Sequence, residues 1–408
     1  MSEKTFRRAE SDEGEVVLAT ITSAFGCEAG TPRYEHLRED VENHLDEHYV
    51  YTVNGAVVGA LHVRVEEIQV GASIVTKGDV GEVGILAERH GQGLGTEMME
   101  AVVKTLREDG LHLSRLGGYR RFYERFGWVP FPRGYIDFAL SGLTSRGGFT
   151  DPVSFLDRPD EDKKIRPYDG TRDKTVCGNL YRAFNRERTG ALPERRFGEK
   201  SDDPWSIVYE EDGRVIAYLL ASEKPPPYTR FTTAVSIQGA AADPDRIEAL
   251  GEVIRYTLRR AKMVGAESVS ARLPLDSALY DLYRDSSAGF IVTQWQSSEG
   301  GNMLQVLNPR LLMEAVRPTI QTRLEDACRD PGQLAIRVHG ETVGVEWGGG
   351  TAVIADPKGE TIDLSQEGFC RLLLGLTSVD QVVREPSRER DLLGAMFPVQ
   401  GTATGVWG

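Results

Sequence analysis

The chain has 408 residues, of which 40% are hydrophobic and 27% charged, and 48 Lys+Arg stand against 62 Asp+Glu for a net charge of −14. These proportions belong to a folded globular protein and exclude wholesale disorder. The acidic surplus also excludes a nucleic-acid backbone as the main partner, because phosphate binding needs clustered Lys and Arg; an acidic cleft would instead draw a cationic substrate. At about 100–200 residues per domain the length predicts two to four domains. Cys27, Cys177, Cys328 and Cys370 form no C-x-x-C pair, so neither a disulfide framework nor a zinc knuckle is expected. The N-terminus MSEKTFRRAESDEGE carries no apolar signal segment, and no apolar run approaches the roughly 20 residues that span a bilayer. A cytoplasmic protein without a membrane partner is expected.

Taken in order, residues 12–25 place apolar side chains at helical spacing behind acidic capping candidates, which predicts a helix. Residues 48–54 and 56–65 read as a hairpin turning at Asn54-Gly55. A strand over 79–86 is followed by a glycine-rich turn at 91–95 and an amphipathic helix over 95–109. A strand at 111–115, a short helix at 119–126 and a strand over 127–140 complete this part. The polar, Gly/Pro-rich stretch that follows marks a linker at 146–165. The pattern then repeats: a helix at 169–186, a hairpin over 205–221 turning at Asp212-Gly213, a strand at 230–240, a helix at 243–264, a strand at 266–273 and a helix at 276–288. FYERFGW at 122–128 and LYDLYRDSSAGF at 279–290 both read as an aromatic helix followed by Gly and an aromatic, which suggests a diverged duplication. After Leu307-Asn308-Pro309 the pattern changes to a short helix at 310–316, strands at 333–338, 341–347 and 351–356, and a helix at 366–375. Alternating strands and helices imply α/β layers.

The segment that carries chemistry is GEVGILAERHGQGLGTEMMEAVV, residues 81–103. A strand runs into a turn holding Gly91, Gly93 and Gly95 and then into a helix, so successive backbone N–H groups converge at a helix N-terminus and make a seat for an anion. A dinucleotide fingerprint fails because position 98 is Met, and the G-K-[ST] of a Walker A loop is absent. Further on, Tyr123 stands among aromatics, where a phenol could protonate a leaving thiolate or could simply fill a core.

The strand, [R/Q]-x-x-G-x-G/A-type turn, helix and F-Y-E-R-F-G-W resemble the acyl-CoA site of the GNAT N-acetyltransferases. The three-part layout is similar to the enhanced intracellular survival (Eis) family. The resemblance implies an α/β fold of mixed sheets, with a catalytic GNAT domain (1–145), the linker (146–165), a second, non-catalytic GNAT-like domain (166–307) and a sterol carrier protein-like α+β domain (308–408). It implies acetyl-CoA as co-substrate, no metal, an aminoglycoside-like, polyamine-like or lysine-containing amine as acceptor, and a homo-oligomer, hexameric in the family. Val83 and Ile85 fall where the family's strand offers backbone groups to the cofactor. His90, Gly91, Gln92, Gly93, Leu94, Gly95 and Thr96 fall on its pyrophosphate loop, with His90 where the family has Arg or Gln. Tyr123 matches the family's proton-donating tyrosine, and the terminal carboxylate of Gly408 its C-terminal catalytic group. Phe25, Glu28 and the acidic stretch Glu35–Asp46 fall where the substrate pocket is walled. The other reading is a CoA sensor or a carrier of apolar ligands that turns nothing over.

Overall fold

The computed structural model of the chain describes residues 3–140, 158–195, 197–198, 204–223, 234–287, 289–296 and 298–401. The N-terminal part supplies β1 (Lys4–Arg8), β2 (His48–Val53), β3 (Ala56–Val70), β4 (Ser73–Ile85), β5 (Leu113–Gly117) and β6 (Val129–Pro130). Asn54 and Gly55 both take positive φ at the β2–β3 turn, as a two-residue hairpin requires. Two helices, α1 (Gly14–Phe25) and α2 (Pro32–Asn43), cover one face, where Val17, Ile21, Leu37 and Val41 pack on Val50 and Ala60. A third, α3 (Leu94–Glu108), covers the other, burying Met98, Met99, Val102 and Leu106 against Tyr49, Tyr51, Leu61 and Val63. Each of the buried Val, Leu, Ile and Met side chains contributes about 1.5–3 kcal/mol by leaving water.

Residues 127–140, predicted as one strand, are two. Pro130 and Pro132 remove backbone donors, so β6 stops and β7 (Arg133–Ala139) sets off in a new direction. β7 joins a second seven-stranded sheet with β8 (Ile165–Pro167), β9 (Ile207–Glu211), β10 (Arg214–Ser222), β11 (Ala234–Ala242), β12 (Ser268–Ala271) and β13 (Phe290–Trp295). In return β14 (Asn302–Val306) enters the first sheet between β5 and β6. The strand orders are β1-β2-β3-β4-β5-β14-β6 and, written from its other edge, β8-β9-β10-β11-β12-β7-β13. The plans are the same: four antiparallel strands, one parallel pair (β4 with β5, β11 with β12), then a strand borrowed from the other half. Ile165 already opens β8, while residues 146–157 of the predicted linker lie outside the described residues.

The third sheet, β17-β16-β15-β18, consists of β15 (Gly332–Val338), β16 (Glu341–Gly348), β17 (Thr351–Ala355) and β18 (Thr361–Asp363). The short helix predicted at 310–316 runs instead over Pro309–Asp326, straight through Pro318. An internal proline costs about 3 kcal/mol. Burial of Leu312, Met313, Val316, Ile320 and Leu324 in a core shared with Val70, Val75, Leu334 and Val345 outweighs it. No helix among the described residues is long and apolar enough to cross a membrane.

The paired stretch of β4 is held by a buried charge cluster. Lys77, its side chain 1% exposed, binds Glu66 at 2.9 Å and Asp79 at 2.5 Å, and Arg115 of β5 lies 3.6 Å from Asp79. Burial pushes the Asp79 carboxyl above its ordinary range, against the pull of Lys77 and Arg115. Lys77→Met would strand two carboxylates without their ammonium, and the expected loss is about 3–5 kcal/mol, read as a fall in denaturation midpoint. An unchanged midpoint would show that Arg115 alone suffices.

Candidate active site

β4 and β5 pair in parallel only from Lys77–Val80 against Leu113–Leu116. Beyond Val80 they part. On the β3 side Gly81 still faces His62 and Gly84 faces Ala60, so Glu82 and Val83 share the space opposite Leu61 as a β-bulge, with Glu82 at φ 54°. The bulge turns β4 away from β5 and opens a cleft of about 780 Å³. One wall is Val80–Ile85, the other Gly117–Tyr119 with Phe122 and Tyr123. Gly84 lets α1 sit directly on the strand, since a Cβ there would lie 2.7 Å from that of Ala24.

The floor at the far end is the glycine-rich loop. Gly91 and Gly93 have φ near 80° with open space around them, so they serve conformation and not clearance. The amides of Gly91, Gln92, Gly93, Leu94 and Gly95 donate to no partner among the described residues, whereas those of Thr96 and Glu97 are taken by the Gly93 carbonyl. Free N–H groups at the head of a fifteen-residue helix form an anion seat. Arg89 lines the same end. Arg125 lies beside it, donating to Thr96 Oγ1 at 3.0 Å and stacked over Phe122 and Phe126. The matching turn of the second sheet is Asp243-Pro244-Asp245-Arg246, whose Asp243 carboxylate caps the Asp245 amide. A carboxylate stands there in place of free amides, so that turn offers no anion seat.

Tyr123 closes the short helix α4 (Arg120–Tyr123) on the cleft wall. Its ring meets Phe122 edge-on at 5.0 Å and Trp128 at 6.3 Å, and fits because residue 118 is glycine: a Cβ there would lie 2.5 Å from Tyr123 Cε2. The hydroxyl has no partner among the described residues, and burial pushes the phenol up to about 12. It therefore holds its proton throughout the physiological range.

Of the residues singled out from sequence, Phe25, Val83, Ile85, His90, Gly91, Gly93, Leu94, Gly95, Thr96 and Tyr123 line this one cleft. Gln92 is exposed and outside the lining. His90 folds back, its Nε2 on the Ile85 carbonyl at 2.9 Å, so the ring occupies an acceptor that the family resemblance offers to the cofactor. Glu28 also lies outside the lining. It is exposed, and its carbonyl accepts from the Thr31 hydroxyl while Thr31 caps α2, which makes it part of the α1–α2 turn. Gly408 lies outside the described residues. Ser114 is fully buried, bonded to the Gly78 carbonyl and to Trp128, and holds β4 to β5. Sequence reading missed Arg33, which stacks on Phe25 at 4.9 Å, and Arg125. With Arg33, Arg89 and His90 against the single carboxylate Glu82, the cleft lining is not acidic, contrary to what the net charge suggested. The acidic stretch Glu35–Asp46 contributes none of the lining.

Gly93→Glu would set a side chain at φ 80° and a negative charge among the free amides. Acetyl-CoA binding is expected to fall below detection by calorimetry while the fold persists. Retained affinity would move the anion seat elsewhere.

Residues 5–131 match the model of the acetyltransferase (GNAT) domain family. No curated protein matches the chain in sequence. Among solved structures the chain is similar, over 98% of its length, to GCN5-related N-acetyltransferases from Anabaena variabilis (TM-score 0.67, 13% identity, 98% of that chain) and Kribbella flavida (0.65, 16%, 97%). It is also similar over 98% of its length to Eis1 from Mycobacterium abscessus (0.59, 14%, 98%). At such identities the likeness is one of fold, and it extends across all three sheets. Residues 5–131, which hold the parted strands, the free-amide loop and the half-buried tyrosine of one cleft, are the part of the chain that matches a GNAT acetyltransferase domain.

Proposed function

We propose that the protein is an acetyl-CoA-dependent N-acetyltransferase of Eis type, acting on a primary amine of an aminoglycoside-like, polyamine-like or lysine-containing acceptor. The observation that carries this is the row of unpartnered amides from Gly91 to Gly95 at one end of a cleft whose wall holds Tyr123. The residues fit the cofactor: the free amides and Arg125 suit a pyrophosphate, and the bulged edge of β4 leaves Val83 unpaired toward β5 for an extended pantetheine arm. Acetyl-CoA supplies the acetyl thioester. The Tyr123 hydroxyl, protonated and desolvated, holds the proton that the departing thiolate needs. Phe25 with Arg33 stacked on it stands at the cleft on the α1–α2 side, where an acceptor would enter. The same reading makes the second sheet a scaffold, the C-terminal sheet sterol carrier protein-like, and the assembly a homo-oligomer.

The test is free-thiol release from acetyl-CoA by the full chain with multi-amine aminoglycosides, spermidine and lysine-containing peptides. Release with an amine is expected; acetyl-CoA binding without release from any of them would make the protein a sensor. Tyr123→Phe is expected to lower kcat about 100-fold with little change in the KM for acetyl-CoA. Because the acid form of Tyr123 is the active one and its pKa lies near 12, kcat should show no alkaline fall attributable to it below about pH 10. A descending limb near pH 8 that vanishes in Tyr123→Phe would contradict the burial argument.

A further inference from the structure

Behind the cleft wall, on the face covered by α1 and α2, four elements bring acceptor atoms together. His48 of β2 and His62 of β3 are cross-strand partners whose rings stack at 4.6 Å between centroids. Asp40 comes from α2 and Glu82 from the bulge of β4, and one ligand atom from each of the four residues lies within 4.8 Å of the others. Both imidazoles have their outer nitrogen committed. His48 Nδ1 donates to the His44 carbonyl at 2.9 Å, and His62 Nε2 donates to Glu47 Oε2 at 2.8 Å. The inner nitrogens therefore present lone pairs, and each looks at a carboxylate: His48 Nε2 at Glu82 Oε2, 3.6 Å away, and His62 Nδ1 at Asp40 Oδ2, 3.4 Å away. His48 is 0% exposed, and both its Nε2 and Glu82 Oε2 are buried with no hydrogen-bond partner.

Acceptor facing acceptor across a buried gap needs something positive between. A proton could fill one gap, but protons in both would stack two imidazolium rings in contact, which like-charge repulsion opposes. A divalent cation fills both at once. We infer that Asp40, His48, His62 and Glu82 form a site for a first-row divalent cation, zinc by its donor set of two imidazoles and two carboxylates. In a tetrahedron with metal–ligand bonds of about 2.0–2.1 Å the edges are about 3.3–3.4 Å, and the two facing pairs already stand near that separation. The outer shell is in place as well. The His44 carbonyl and Glu47 orient the rings, and Arg64 lies 3.4 Å from Asp40 Oδ1 and 3.6 Å from Glu47 Oε2, turning Asp40 Oδ2 inward. Four protein ligands close the coordination sphere, so the ion is structural: it ties α2 to β2, β3 and the bulge of β4, and holds the Glu82 turn on which the cleft depends. This holds whether or not the acetyl-transfer reading does.

The test uses the full chain, freed of any affinity tag and stripped with a chelator. One equivalent of Zn²⁺ per chain is expected to bind, raising the denaturation midpoint, and Co²⁺ in its place should give the visible absorption of a tetrahedral nitrogen–oxygen site. Asp40→Asn and His62→Gln should each weaken zinc at least tenfold, and Glu47→Gln, which touches no metal, about 10–100-fold. If His62→Gln does not fold, Asp40→Asn and Glu47→Gln carry the same test. No stoichiometric uptake by the stripped wild type would overturn the site in favour of a protonated His–carboxylate cluster. Uptake unchanged in the variants would overturn it in favour of an ion bound elsewhere.

Discussion

The parting of β4 from β5 is the constraint on which the rest depends. Two parallel strands that stayed paired to their ends would bury every backbone group between them and leave nothing to hold a ligand. Here pairing stops at Val80, and the bulge at Glu82–Val83 bends β4 away while keeping its other edge bonded to β3 as far as Ile85. The strand keeps its place in the sheet and gives up one edge. The cost is a non-glycine residue at φ 54° and a carboxylate turned into the protein, of order 1–3 kcal/mol for the strain alone. Packing around it compensates: α1 lies directly on Gly84, Lys77 and its carboxylates hold the paired half, and the histidine–carboxylate cluster grips the bulge from behind.

The exchanged strands explain why this cleft sits in a chain of three sheets. β14 fills the slot between β5 and β6, and Arg115 and Arg133 both donate to its Asn302. The wall that carries Tyr123 is therefore backed by a strand from residues 302–306, and the Gln305 side chain donates to the Phe126 carbonyl just after it. Helix Pro309–Asp326 continues from that strand and lies between β4 and the third sheet, where Thr319 Oγ1 bonds the Val70 carbonyl and the Ser73 amide. The residues that position the tyrosine therefore come from two distant stretches, 117–128 and 302–306.

Charge is distributed unevenly over this frame. The chain is acidic overall, but the loop end of the cleft is cationic, with Arg89 and Arg125 beside free amides, as an anionic ligand needs. On α2, Glu35 and Glu42 pair with Arg38, and Asp40 faces Arg64 and the histidine cluster; no α2 carboxylate lines the cleft. Net charge describes the surface average; which groups meet a ligand is set by the few side chains that line the cavity.

Much of this was legible in the order of residues. Hairpins announced by Asn54-Gly55 and Asp212-Gly213, the loop from Gly91 to Gly95 and the aromatic turn around Tyr123 are local features, encoded by turn chemistry and periodicity over a few neighbours. The sequence by itself therefore determined the two hairpins, the loop from Gly91 to Gly95 and the aromatic turn that carries Tyr123. Exchange of β7 and β14, passage of a helix through Pro318, the inward turn of His90 and the meeting of Asp40, His48, His62 and Glu82 were decided by tertiary structure alone. The reason is physical. No spacing rule relates residues drawn from α2, β2, β3 and β4; register and a bulge bring them within 4.8 Å, and burial of distant apolar side chains overrides the local cost of a proline or a strained φ.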